Sequence, residues 1–160
     1  MVLHTIGYEG VDIKRFFSLL REHDIETLAD IRELPLSRKP GFSKKSLADA
    51  LNLSGFEYVH LPDLGCPKSI RDRYRADGNW TRYTEGFLKH LNTQGEALAD
   101  LASMAAISNC ALLCFEADYN YCHRSMVADA VRKLSGMRVC HIQATGLKTA
   151  TSADLTLAAA

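Results

Sequence analysis

The run CALLCF at residues 110–115 contains no polar side chain. A strand with one face in water alternates apolar and polar residues. A strand covered on both faces reads as an unbroken apolar run. Such strands belong to parallel sheets packed between helices, so this stretch predicts the central strand of an α/β fold. Four further strand-like runs lie at 2–6, 26–31, 56–60 and 137–142. Between them apolar residues recur at helical spacing. Asp12 can cap a helix over 12–23 that buries Ile13, Phe16, Phe17 and Leu20, and Ser43 can cap one that buries Leu47, Ala50 and Leu51. Further helices are predicted over 84–91, over 95–106 with Leu98, Leu101, Ala102 and Ala105 inward, and from Cys122 to a stop at Gly136. Residues 61–83 carry no clear period and predict an irregular excursion with a short helix. The pattern predicts one α/β domain over 1–147. It is a three-layer sandwich with a mostly parallel sheet of about five strands and right-handed connections, followed by a poorly ordered tail over 148–160.

With 160 residues, 47% of them apolar, the chain can bury a core without disulfides. Its five cysteines are odd in number, and Cys110, Cys114 and Cys140 fall in strand-like runs, a pattern that fits reduced thiols in a cytoplasm. The 19 basic and 19 acidic residues cancel, which argues against a nucleic-acid coat or a membrane-surface protein. No apolar run approaches the roughly 18 residues of a membrane-crossing helix, and the N-terminal residues do not read as a secretion signal. The expectation is a cytoplasmic protein with no membrane partner.

Open α/β sheets bind ligands beyond the carboxyl ends of their strands. Here those ends carry Tyr8 and Glu9, then Asp30 and Arg32, then His60, then Cys114 and Glu116. Cys122, His123, Arg124 and Ser125 open the following helix, where unpaired N–H groups and the helix dipole favour an anion. Arg124 can clamp a phosphate or carboxylate there, or pair with Asp118 or Asp129. Asp30 and Arg32 share a strand face, as an ion pair or with Arg32 as a second clamp. Ser37 lies in the polar loop 33–42 and joins the candidate ligand-binding set.

Cys114 can be a nucleophile or a core cysteine. Glu116, directly after so apolar a strand, needs a partner or a task, and acid–base catalysis is one. Cys114, Glu116, Cys122, His123 and His60 are all zinc-ligand types, yet the spacing between Cys114 and Cys122 is wider than the close pairs of structural zinc sites. Ten positions separate Cys114 from Arg124, too many for the short phosphate-wrapping loop of a cysteine phosphatase. Finally, Arg71, Arg73, Arg75 and Arg82 interleave with Tyr74, Trp80 and Tyr83, which reads as a nucleic-acid track or a solvated segment.

Four ordered motifs carry a resemblance. They are TIGYEG at 5–10, LADIRELPLS at 28–37, LPDLG at 61–65, and LCFE at 113–116 with Cys122-His123-Arg124. Together they resemble the bacterial and archaeal family catalogued as domain of unknown function 488, over about residues 2–142. The resemblance implies a compact α/β domain whose motif residues meet at one site, and implies no particular activity. In outline the chain is also similar to rhodanese-like domains, through Asp30-Ile31-Arg32 and the strand–cysteine-loop–Arg124-Ser125–helix unit. Its loop after Cys114 is longer and carries Glu116 and Asp118.

The leading expectation is therefore a strand-end pocket for an anionic ligand, a nucleotide or other phosphorylated compound. Arg32 and Arg124 are its clamps, Glu116 its acid–base group, Tyr8, Asp30, Ser37, His60, Cys122, His123 and Ser125 its lining, and Cys114 a supporting or nucleophilic residue. A nucleic-acid module built on Arg71–Arg82 and a thiol-dependent enzyme using Cys114 are the alternatives. No cofactor is predicted, zinc being the alternative. Whether the site binds or catalyses stays open.

Overall fold

The computed structural model describes residues 1–144 and 150–151. Five strands, β1 (Val2–Gly7), β2 (Thr27–Asp30), β3 (Glu57–His60), β4 (Cys110–Cys114) and β5 (Arg138–Ile142), form a parallel sheet in the order β3-β2-β4-β1-β5. A two-residue strand, β6 (Ala150–Thr151), adds antiparallel to β5. The remainder of the expected tail lies outside the described residues. As its unbroken apolar run requires, β4 is central, paired with β2 and β1 and buried at all five positions.

Six α-helices flank the sheet among the described residues: α1 (Ile13–Glu22), α2 (Lys44–Leu53), α3 (Lys68–Asp77), α4 (Trp80–Asn92), α5 (Gly95–Ile107) and α6 (His123–Ser135). None of them is long and apolar enough to cross a membrane. Phe16, Leu19 and Leu20 of α1 and Leu47 and Leu51 of α2 pack on Ile6, Leu28, Ala111 and Leu113 on one sheet face. Phe87 and Leu91 of α4, Leu98 and Leu101 of α5, and Val127 and Val131 of α6 cover Leu3, Ala29, Leu112 and Val139 on the other. Side chains alternate along each strand, so one apolar strand feeds both cores.

The excursion at 61–83 is more regular than the sequence predicts. A 3-10 turn at Pro62–Leu64 leads into α3, which ends at Gly78 with φ +62°, and Asn79 caps α4 by accepting the Arg82 N–H at 3.0 Å. The helix expected from Thr84 therefore starts at Trp80. The sequence hides α3 because none of its residues is fully buried, so it leaves no apolar stripe to read.

The topology fixes where a site can form. Adjacent strands β1 and β4 send their following helices, α1 and α6, to opposite faces of the sheet. Their carboxyl ends thus flank a switch point, where open α/β sheets place ligands.

Candidate functional site

Two polar assemblies occupy the carboxyl rim. The first lies at the ends of β2 and β3. Asp30 is fully buried, and Arg32 grips it with two parallel bonds, Nε to Oδ1 at 2.8 Å and Nη2 to Oδ2 at 2.7 Å. Arg32 Nη1 donates to the Phe42 carbonyl at 2.7 Å and the Tyr8 hydroxyl at 3.3 Å, while Tyr58 donates to Asp30 Oδ2 at 2.5 Å. Lys44 Nζ lies 3.2 Å from His60 Nδ1, so that nitrogen accepts and Nε2–H donates to the Arg32 carbonyl at 2.8 Å. Burial opposes the Arg32 charge, but the Asp30 carboxylate more than offsets it and holds the guanidinium protonated above its ordinary range. Burial, and then Asp30, push the Tyr58 phenol up.

Arg124, fully buried, runs back beneath the rim. Its Nε donates to Thr5 Oγ1 at 3.2 Å, Nη1 to the Glu116 carbonyl and Nη2 to the Ala117 carbonyl at 3.2 Å. Burial, and then the Arg124 charge, lower the His141 pKa to about 4, so His141 is neutral at pH 7. Thr5 Oγ1 accepts from Arg124 and shares a hydrogen bond with His141 Nδ1, 2.7 Å away. Neither acid expected as a partner of Arg124 serves. Asp118 accepts from the Asn120 N–H, and Asp129 pairs with Arg132 and Lys133. The carbonyl that Arg124 holds sits where a Cβ at position 7 would stand: an ideal Cβ on Gly7 would lie 1.8 Å from it.

The second assembly forms where β4 meets α6. Cys114 ends β4, Cys122 is the N-cap of α6 and His123 its first residue; all three are buried. Cys114 Sγ lies 3.5 Å from His123 Nδ1 and 3.1 Å from Glu116 Oε2, and Cys122 Sγ lies 4.0 Å from His123 Nδ1. The two sulfurs and an imidazole nitrogen all fall within 4.8 Å of one another. His123 Nε2 meets the Ile31 carbonyl at 2.9 Å, which can only accept, so the proton is on Nε2 and Nδ1 faces the sulfurs. Phe87 covers the ring edge-on at 5.2 Å.

Charge is shared unevenly in this cluster. Burial pushes the Cys114 thiol well up, reinforced by Cys122 and Glu116. Burial acts the same way on Cys122, but the Cys114 thiol, His123 and Arg124 outweigh it and hold Cys122 below the usual thiol range. Burial would lower His123, yet Cys122 raises it. Glu116 is half-buried and its pKa is raised, first by burial and then by Cys122.

A family profile described as Domain of unknown function DUF488 matches residues 12–131. The chain belongs to the DUF488 family. No curated protein and no solved structure matches it. The span matched to DUF488 contains both cysteines, His123, Glu116, Asp30, Arg32 and Arg124, whereas Tyr8, Thr5 and His141 lie outside it.

The remaining residues expected at the rim of this DUF488 domain take the following places. Tyr8 stacks on Phe42 at 4.4 Å and belongs to the Arg32 assembly. Ser37 shapes its own loop, exchanging hydrogen bonds with Ser43 and capping the Lys39 N–H. Ser125 bonds the Cys122 carbonyl at 2.9 Å within the first turn of α6. The basic segment is largely paired: Arg71 with Glu33, Arg75 with Asp72, Arg82 with Asp77. Its aromatics pack on one another, Trp80 stacking on Tyr83 at 4.6 Å. The LPDLG motif docks here too, because Gly65 lets its backbone approach the Glu33 backbone more closely than any Cβ would permit. Sequence reasoning missed Thr5 and His141. Their one signal is that each is a polar residue inside a mostly apolar strand, Thr5 beside His4 in β1 and His141 after Val139 and Cys140 in β5.

Proposed function

We propose that this DUF488 domain is a thiol-dependent enzyme that works at the carboxyl ends of β1 and β4, with Cys114, Cys122, His123 and Glu116 as its working groups. The observation that carries the reading is the convergence of two thiols and an imidazole within 4.8 Å at the switch point of the sheet. Half-buried Glu116, bonded to Cys114, links them to solvent. Burying several ionisable groups together costs stability that apolar residues of similar size would not. Such clusters concentrate where chemistry is done.

The same geometry weighs against the anion clamp. Arg32 and Arg124 direct their donors at fixed protein acceptors, which suits them to hold the rim in shape. An anionic substrate would have to displace those bonds. The pairing of the 71–82 segment likewise supports a structural role over a nucleic-acid track.

The test is a turnover panel of chromogenic acyl esters, thioesters and disulfides. It is run on wild type, Cys114→Ser, Cys122→Ser and Glu116→Gln, with circular dichroism to verify folding. The expectation is turnover of one class, falling at least about 100-fold in kcat/KM in Cys122→Ser, the scale of losing a positioned reactive group. Turnover that survives both cysteine substitutions, or no turnover of any class, overturns the reading.

A further inference from the structure

We infer that Cys114, Cys122 and His123 enclose a thiophilic divalent cation of the zinc class, with Glu116 as the fourth ligand on the solvent side. The inference rests on the reading of this cluster as the working site and names its cofactor; its own support is the arrangement of donor atoms.

Four ligands about 2.0–2.3 Å from one zinc ion, set tetrahedrally, lie about 3.3–3.8 Å from one another. The cluster is close to those edges: 3.5 Å from Cys114 Sγ to His123 Nδ1, 4.0 Å from Cys122 Sγ to the same nitrogen, and 3.1 Å from Cys114 Sγ to Glu116 Oε2. The donor atoms of Cys114, Cys122 and His123 lie within 4.8 Å of one another, so contraction by up to about 1 Å brings the three onto one ion, and a turn of the Glu116 carboxylate away from Cys114 would supply the fourth ligand.

The surroundings are those of a metal ligand set. A ligating histidine characteristically donates its other ring N–H to a carbonyl or carboxylate, which fixes the tautomer and aims the lone pair at the ion. His123 does this with the Ile31 carbonyl at 2.9 Å. Arg124 holds the backbone of Glu116 and Ala117, fixing the segment that carries the fourth ligand. Both cysteines are free thiols, and two sulfurs with one imidazole select zinc over the oxygen-seeking magnesium and calcium. The step also balances: Zn²⁺ entry forms two Zn–S bonds, one Zn–N bond and one Zn–O bond to the Glu116 carboxylate, so the site carries one negative charge before and after. It releases two protons, one from Cys114 and one shared by Cys122 and His123. The wide spacing of the cysteines is no obstacle, because a strand end and a helix N-cap hold them where a chelating loop would need a short separation.

The test uses the full chain, purified without chelator. Elemental analysis is expected to give about one zinc per chain. Exchange for Co²⁺ is expected to give tetrahedral d–d bands and a thiolate-to-cobalt charge-transfer band that is roughly halved in Cys114→Ser and in Cys122→Ser. Should a cysteine variant fail to fold, Glu116→Gln serves: it should keep the charge-transfer band while releasing the ion to a chelator faster. A folded wild type that carries less than about a tenth of an equivalent of zinc and shows no charge-transfer band with Co²⁺ overturns the inference. If that same protein loses turnover in Cys122→Ser, the thiol reading stands and only the cation falls. A stoichiometric, thiolate-bound ion with no thiol-dependent turnover sinks the enzyme reading and upholds the cation.

Discussion

Gly7→Ala isolates the contact that closes the switch point. The glycine lies in the extended backbone of β1, where alanine is conformationally acceptable. On chain entropy alone the substitution should stabilise by about 0.4–1 kcal/mol. Space decides the opposite sign. The new Cβ would stand 1.8 Å from the Glu116 carbonyl oxygen, and ordinary contact begins at 3.4 Å, so the 116–117 loop must retreat by about 1.6 Å (3.4 − 1.8). The obstacle is backbone, which cannot swing aside as a flexible side chain would. Retreat breaks the Arg124 bond to the Glu116 carbonyl and strains its bond to Ala117. Overpacking of this kind costs about 1–3 kcal/mol, and a buried donor left without its acceptor costs about 1–3 more. Net of the entropic gain, about 3 kcal/mol should be lost, which lowers the melting temperature of a chain this size by roughly 6–12 °C. Differential scanning calorimetry at pH 7 measures it. A variant that melts within about 2 °C of wild type, or above it, would refute the reasoning that Gly7 exists to admit the loop.

Replacing Arg32 by methionine leaves the buried Asp30 carboxylate facing Tyr58 without its cation; urea unfolding should show about 3–5 kcal/mol lost, and a loss under about 1 kcal/mol would sink the view of this pair as the brace of the rim. His141 supplies a pH dependence. Its folded pKa of about 4 lies below the ordinary 6.5, so the unfolded chain binds more protons in between, and stability is full above about 6.5 and falls as pH drops toward 4. The share due to this residue is up to about 3 kcal/mol, and His141→Gln should flatten that part of the profile of urea midpoint against pH; identical slopes in the two proteins would rule His141 out as its source.

The sequence shows most of the sheet and most helices because those elements bury an unbroken or periodic set of side chains. The run at 110–115 becomes the fully buried β4, and Phe16, Leu19 and Leu20 mark the inner face of α1. Where burial is partial the signal fades. Of α3, nothing is fully buried, and its arginines serve ion pairs with Glu33 and Asp72 that no period encodes. The rim itself could be located, since a parallel sheet gathers its strand ends on one edge. What each rim residue does there could not. Arg124 finds Thr5 across 119 positions, and Thr5 finds His141 across 136, contacts that depend on the approach of separate strands. The cysteine spacing likewise counted against a metal only while a flexible chelating loop was assumed.

On the proposed reading, the two rim arginines hold the site in shape and leave the thiols as the groups that act. Every guanidinium nitrogen of the two arginines has a protein acceptor on its own side of the site. Arg32 ties β2 to Tyr8 and to the loop ending at Phe42; Arg124 ties α6 to β1 and to the loop after β4. A reactive constellation must be held by neighbours that are themselves locked, or it is present but too loose to work. Here the lock is assembled from charge, and the cluster of Cys114, Cys122, His123 and Glu116 hangs from it through the 116–117 carbonyls and the Ile31 carbonyl. Weakening the frame should therefore disturb the cluster without touching a single one of its residues. In Gly7→Ala, the Glu116 carboxylate moves with its own carbonyl while Cys114 stays on β4, so their 3.1 Å contact opens. Thiol reactivity or cation retention should then change in a protein that keeps all four working groups.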